Sequence, residues 1–588
     1  GRTIYLDLDN DGMLGAEEPT ATTATDGSYA FADLSAGTYT VAQIVPEGWE
    51  QTAPPVAEAG AGGRLSRSLA GIAPIPAAAE FVGPLPVRRH MTRLIPNDPL
   101  FSQQWHLRNT GQSGGTAGED IRVTTAWDRF RGSGVVIGIV DDGLQSTHPD
   151  LSGRYVSSLS YDFNGNDTNP APGAGDDHGT AVAGIAAATG NNGIGVSGVA
   201  PAASLAGLRL VAAETTDAEE AEALNHRMQD IHIYNNSWGP DDTGDNLEAP
   251  GRFTLAALQN GVENGRGGLG SIYVWAAGNG LEADDNVNYD GYANSRYTIA
   301  VTAVDDDGRQ AYYAEPGAPI LVAAPGGGRT ADITTTDRTG SAGYASGDYA
   351  TDFGGTSAAT PVVSGVVALM LEANPELSWR DVQHVLVESA RKNHAVDAGW
   401  SLNGAGKWVN HKYGFGMVDA TAAVSVAETW TPVGAEVSAA SGTINVGRSI
   451  PDNSVTGITS SFTVGGDISV EWVEVVLSAS HTYRGDLEVI LVSPSGTQSV
   501  LAETRSDAGA NYSNWRFTSA RHWGEESAGA WSLRVADRSS GDTGSFNSWS
   551  LNVYGTGRVA EPPPGARVVT LADGLGRRDH QCSRHDDP

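Results

Sequence analysis

The sequence predicts an α/β chain: a three-layer domain with a parallel sheet, a β-sandwich after it, and a small all-β domain before it. Three observations carry this. Between residues 96 and 430, apolar runs such as "GVVIGIV", "IHIYNNS", "GSIYVWAAGN" and "YTIAVTAV" alternate with helical stretches, the pattern of buried parallel strands crossed by helices. From 431 to 556 the helices vanish, and runs such as "SVEWVEVVLSAS", "DLEVILVSPSG" and "SWSLNVYG" predict a sandwich of roughly seven or eight strands. A chain of 588 residues is also too long for one hydrophobic core.

Residues 1–52 read as short strands between turns, with alternation at Tyr29, Phe31 and then Tyr39, Val41. Residues 53–95 are rich in Ala, Pro and Gly, the composition of a linker. Residues 557–588 are polar and rich in Pro, Arg and Asp, as a disordered tail is.

Composition narrows the function classes. A net charge of −34 disfavours nucleic acid and anionic membranes as partners and favours cations, meaning basic peptides or calcium. No run approaches the roughly 18 apolar residues that span a bilayer, so no membrane span is expected. The chain opens at Gly1 without a charged and apolar leader, which places any export signal outside these residues. Cys582 is the sole cysteine, so no intrachain disulfide framework exists and bound calcium is the expected staple of a secreted, monomeric protein.

Four segments carry chemistry. Nucleophilic serine hydrolysis needs a hydroxyl, a base beside it and a carboxylate that fixes the base's tautomer. "GVVIGIVDDG" ends an apolar strand at Asp141, on the sheet edge where catalysis gathers in α/β folds. "DDHGTAVAGIAA" starts a small-residue helix at His178, and "GGTSAATPVVSGVVALML" puts Ser357 in the first turn of a long apolar helix. There the helix N-terminus helps hold an oxyanion. "WAAGNG" places Asn279 in a Gly-flanked loop after a strand, suited to donate a second hydrogen bond to that oxyanion. The order Asp, His, Ser is that of subtilisin.

Longer blocks sharpen this into a resemblance. "IHIYNNSWGP", "GRGGLGSIYVWAAGNG", "NYDGYANSRYT", "YGFGMVDA" and "YRGDLEVILVSPSGTQSVL" resemble the kexin and furin branch of the subtilisin-like serine proteases, the last block its P domain, with the likeness running over about 97–556. The resemblance implies a calcium-dependent endopeptidase that cuts after arginine, often with another basic residue before it. Recognising a guanidinium takes converging carboxylates, because charge-assisted forked hydrogen bonds are the strong ones. Asp242 and Asp290 match the primary-pocket acids, Asp142 one that meets the preceding basic residue, and Glu220 and Glu248 those facing a basic residue further upstream.

Departures matter here. The family's second acid for the preceding residue falls on Gly175, with Asp176 and Asp177 as nearby stand-ins, which predicts looser dibasic selection. Its cysteine in the helix after the histidine is Val182, and its pocket-loop disulfide is lost to Val287 and Tyr289.

Calcium prefers clustered carboxylates and carbonyls in turns. The resemblance implies one site at Asp98, Asp150 and Asn192 with the carbonyls of Thr189, Ile194 and Val196, and a second at Asp242, Asp285 and Glu315. "YDFNGNDTN" offers a third, with Asp162, Asp167 and Asn169. Near the N-terminus, Asp7, Asp9, Asp11, Gly12 and Glu18 have EF-hand-loop spacing. The run before them is strand-like, and the segment is similar to calcium-binding B-type repeats of bacterial surface proteins. Arg88 and Arg89 form a candidate self-processing site in the linker. Two alternatives stay open: a broadly degrading secreted bacterial subtilase, or a surface adhesin with an incidental protease domain.

Overall fold

A computed structural model describes residues 95–557 continuously and, before them, six short strands. The chain divides into two units, Gly1–Thr92 and Arg93–Pro588. In the first, Thr20–Thr22, Thr3–Asp7, Tyr39–Ile44 and Gly62–Arg67 form an antiparallel sheet in that order, and Ser28–Tyr29 pairs with Gly83–Pro84. Two of these strands, Gly62–Arg67 and Gly83–Pro84, fall within the segment read as linker. Asp7 ends the strand Thr3–Asp7. Asp9, Asp11, Gly12, Glu18, Arg88, Arg89, Cys582 and the tail after 557 lie outside the described residues.

In the second unit the seven-stranded sheet is parallel throughout. Its order is Val322–Pro325, Thr298–Val304, Ile272–Ala276, Ile233–Asn236, Val136–Asp141, Ser204–Arg209, Tyr161–Asp162. Its strands are apolar on both faces because helices cover both. His178–Ala187, Thr356–Ala373, Trp379–Ser389 and Ala420–Ala427 share one core, while Asp217–Asn225 and Arg252–Asn264 pack into another on the opposite face. Thr356–Ala373 is long and apolar enough to cross a bilayer, but here it is buried in the core of the domain. This is the subtilisin-like three-layer fold.

Residues 436–557 form a sandwich of five- and four-stranded antiparallel sheets. It is joined to the α/β domain by more than the chain. Trp472, Ala520 and Trp523 belong to the α/β core, and Tyr289 and Ala318 of the α/β domain belong to the sandwich core. Helix Trp379–Ser389, started by a reciprocal Ser378–Asp381 capping box, aims Arg380 and His384 at the interface. There Arg380 donates to both oxygens of buried Glu471 at 2.8 and 2.5 Å, and His384 Nε2 lies 3.0 Å from the same carboxylate.

Candidate active site

Adjacent strands bring the four chemistry-bearing segments to one sheet edge. Asp141 ends Val136–Asp141, Ser237 follows Ile233–Asn236, and Asn279 follows Ile272–Ala276. His178 begins its helix directly over the first of these, and its Nδ1 lies 2.9 Å from Asp141 Oδ1. Gly179 permits the approach: a Cβ there would meet the Gly143 carbonyl at 2.2 Å and Asp141 Cβ at 2.8 Å. Burial alone would push the imidazole pKa down, but the charge and hydrogen bond of Asp141, with Asp142 nearby, outweigh it and hold it above its usual value.

Ser357 lies in the first turn of Thr356–Ala373, and its hydroxyl donates to the Ser237 carbonyl at 3.1 Å. Neighbouring Thr356 donates through its N–H and hydroxyl to Asn279 Oδ1 at 2.8 and 3.0 Å. That fixes the amide: its oxygen is committed to Thr356, so its NH2 is the end presented to the cleft, where it lies 3.4 Å from Asp242 Oδ2.

A cleft of about 220 Å³ opens beside Ser357 and Asn279. Its acidic lining comprises Asp241, Asp242, Glu248, Asp285, Asp290 and Glu315, and it contains neither lysine nor arginine. Asp290 Oδ1 accepts the Tyr292 N–H at 2.7 Å, and burial, reinforced by the charges of Asp242 and Asp285, raises its pKa to about 8.

The comparisons with known proteins agree with this geometry. The Subtilase family profile matches residues 132–416, and the proprotein convertase P-domain profile matches 470–553. The chain is 40% identical over 481 residues to "Neuroendocrine convertase 2" of Sus scrofa, covering 78% of this chain and 74% of that one. It belongs to the Subtilase family. Identity is 41% over 476 residues to the "Dibasic-processing endoprotease" of Schizosaccharomyces pombe, covering 78% of this chain and 65% of that protein. For "Proprotein convertase subtilisin/kexin type 6" of Homo sapiens it is 40% over 491 residues, 80% of this chain and 50% of the relative. The chain thus spans between half and two thirds of the length of those two. The crystal structure of the serine protease of Aeromonas sobria superposes with a TM-score of 0.73 at 28% identity, covering 79% of this chain and 96% of that one.

The remaining candidate residues of this subtilase fall into three groups. Asp242, Asp285 and Glu315 converge, with carboxylate oxygens within 4.8 Å of one another. Burial drives Glu315 well above the usual carboxylate range, with Asp285 and Asp242 adding to it. Three acids with no basic partner in the cleft fit a hard divalent cation. Gly278 makes room: its φ is +98°, and a Cβ would lie 2.1 Å from Glu315 Oε1. Around the loop through 189–196, Asp98 accepts the N–H groups of Asn191, Asn192 and Gly193, while Asp150 accepts Asn192 Nδ2 and Val196 N–H and its carbonyl accepts the Thr189 N–H. Asn192 Oδ1 accepts the Ile194 N–H.

The third group is held by ion pairs and turns. Arg209 Nη1 lies 3.0 and 3.3 Å from the two oxygens of Asp162, and Asp167 accepts the Asn169 N–H. The same arginine holds Asp176 at 2.8 Å, and Arg338 holds Asp177 at 3.1 Å, so both stand-ins for Gly175 are already neutralised. Glu220, matched to an acid that faces a basic residue further upstream, is buried outside the primary cleft and accepts the hydroxyls of Thr215, Thr254 and Tyr292. Glu248 does line it, beside Asp290 across a parallel bridge. Arg209 escapes sequence reading because its partners are 47 and 33 residues away.

Proposed function

We propose that the chain is a calcium-dependent serine endopeptidase that cleaves after arginine, with a weaker preference for a basic residue before it. The observation that carries this is the cleft beside Ser357, lined by six carboxylates and by no lysine or arginine. A guanidinium entering it would meet Asp242 and Asp290, and its charge would lower the pKa of Asp290 from about 8 and make it a full acceptor. The relatives named for dibasic processing and proprotein conversion support the same reading.

In this mechanism Ser357 Oγ, turned from the Ser237 carbonyl to His178, attacks the scissile carbonyl carbon while His178 takes its proton. Asp141 holds the Nδ1–H and steadies the imidazolium. Asn279 Nδ2 and the Ser357 backbone N–H receive the oxyanion. His178 then gives the proton to the leaving amine, and water repeats the sequence to release the acyl group. Calcium, bound by Asp242, Asp285 and Glu315, would supply charge that holds these acids together. An extracellular location goes with this reading, since calcium is abundant there.

The test is Asp290→Asn. It should cost about 2–5 kcal/mol of transition-state stabilisation in kcat/KM for arginine substrates, while a leucine substrate of the same length changes little. An unchanged arginine rate removes Asp290 from the pocket.

A further inference from the structure

Two walls of the acidic cleft are held from outside the protease domain. One wall is the loop through Asp242 and Glu248, the other the segment Val287–Tyr289 that leads into Asp290. Tyr289 is 3% exposed and packs in the sandwich core rather than in the core of its own domain. The Arg505 guanidinium lies 3.6 Å above its ring centroid, and its hydroxyl both accepts the Glu503 N–H at 3.1 Å and donates to the Glu503 carbonyl at 3.3 Å. Next to it, Asn288 accepts Trp515 Nε1–H and the Thr518 N–H. On the other wall, Arg484 Nη2 donates to the Asp245 carbonyl at 3.1 Å.

The two arginines share one anchor. Arg505 Nη2 and Arg484 Nε both reach Asp507 Oδ2 at 2.5 Å, and the Asp507 side chain is fully buried. Arg505 also donates to the Tyr512 hydroxyl at 2.9 Å, so its plane is fixed by two partners as well as by the ring it covers. A planar guanidinium can stack and bridge at once, which an ammonium cannot. The walls themselves meet where Glu248 N–H donates to the Tyr289 carbonyl at 3.1 Å.

We propose that Arg505 and Arg484, bound together by Asp507, are positioning residues through which the P domain sets the spacing of the primary pocket's two walls. Asp290 follows Tyr289 directly, so a shift of the stacked ring moves the carboxylate that would grip the substrate. Sub-ångström placement of a charged clamp changes binding steeply. The proposal rests on the arginine-pocket reading and assigns its selectivity partly to the P domain.

The experiment uses the full chain with Arg505→Met, Arg505→Lys, Tyr289→Phe and, as a control, Arg380→Met at the other end of the domain interface. Active sites are titrated with a serine-directed label, and KM and kcat are measured on matched peptides with Arg, Lys or Leu before the cut. Arg505→Met should raise KM for the arginine peptide about tenfold with kcat per titrated site nearly unchanged. Arg505→Lys should recover part of that loss, and Tyr289→Phe should show a smaller rise. Arg380→Met should lower Tm without changing KM. A wild-type KM in Arg505→Met overturns the proposal, as does an equal KM rise in Arg380→Met. If Arg505→Met yields no titratable sites, a wild-type KM in Tyr289→Phe overturns it. Wild-type preference for leucine would instead remove the arginine-pocket reading, while the KM change on the preferred peptide still tests the wall positions.

Discussion

The carboxylate of Asp142 caps the helix that carries His178, accepting the His178 N–H at 3.0 Å through one oxygen and the Gly179 N–H at 2.7 Å through the other. One acid therefore anchors the helix N-terminus beside the Asp141–His178 pair, and its remaining lone pairs are what it can offer a substrate. Burial, then the charge of Asp141, raises its pKa to about 7.

That value predicts a pH-dependent second-position preference. Below pH 7 Asp142 is protonated and cannot attract a basic side chain; above it the charge appears. The ratio of kcat/KM for Lys-Arg over Ala-Arg peptides should rise as pH passes through about 7, because taking the ratio cancels the His178 titration. In Asp142→Asn the ratio should stay flat. A wild-type ratio that does not change between acid and alkaline buffers would remove Asp142 from substrate binding.

Asn279 should act on kcat rather than KM. Losing one such donor in subtilisin, a member of this family, lowers kcat about 10²–10³-fold, and Asn279→Ala should fall in that range on any peptide. A rate within about threefold of wild type would assign the oxyanion to other donors.

Glu471 predicts how acid separates the domains. Burial opposes its charge, but hydrogen bonds and charges from His384 and Arg380 outweigh this and hold its pKa down to about 2. Its folded value lies below its unfolded one, so the stabilisation is fully present above roughly pH 4.5 and is lost as pH falls towards 2. Glu471→Ala leaves Arg380 buried and unpaired, which should cost about 3–5 kcal/mol. Denaturant melts of both proteins from pH 7 to 3 measure this. A mutant equal to wild type at pH 7 would show the pair contributes nothing.

Chelation should destabilise the fold. A cation present at about 100 times its Kd stabilises by about 2.7 kcal/mol, so EDTA should lower Tm and Asp285→Asn should blunt the response. A Tm indifferent to EDTA contradicts structural calcium.

Much of the fold was readable because its strands are apolar on both faces and its helices are apolar or capped. "GVVIGIV" read as a buried strand because it is short, apolar and β-branched and alternates with helical stretches. Asp141, His178 and Ser357 were legible because each sits where a strand ends or a helix begins. The pairings that redirect other acids were not. Arg209 claims Asp162 and Asp176, and Tyr289 meets Glu503 across 214 residues, contacts that leave no local periodicity. The shared cores of the two domains were hidden for the same reason, since apolar residues at 289 and 472 look alike whichever core receives them.

An acidic primary pocket that selects arginine should show in the cleavage profile of a peptide library varied at the residue before the cut. Arginine should dominate the products of the wild-type enzyme, and Ser357→Ala should yield none. A profile led by phenylalanine or leucine would rule out an arginine-selecting pocket.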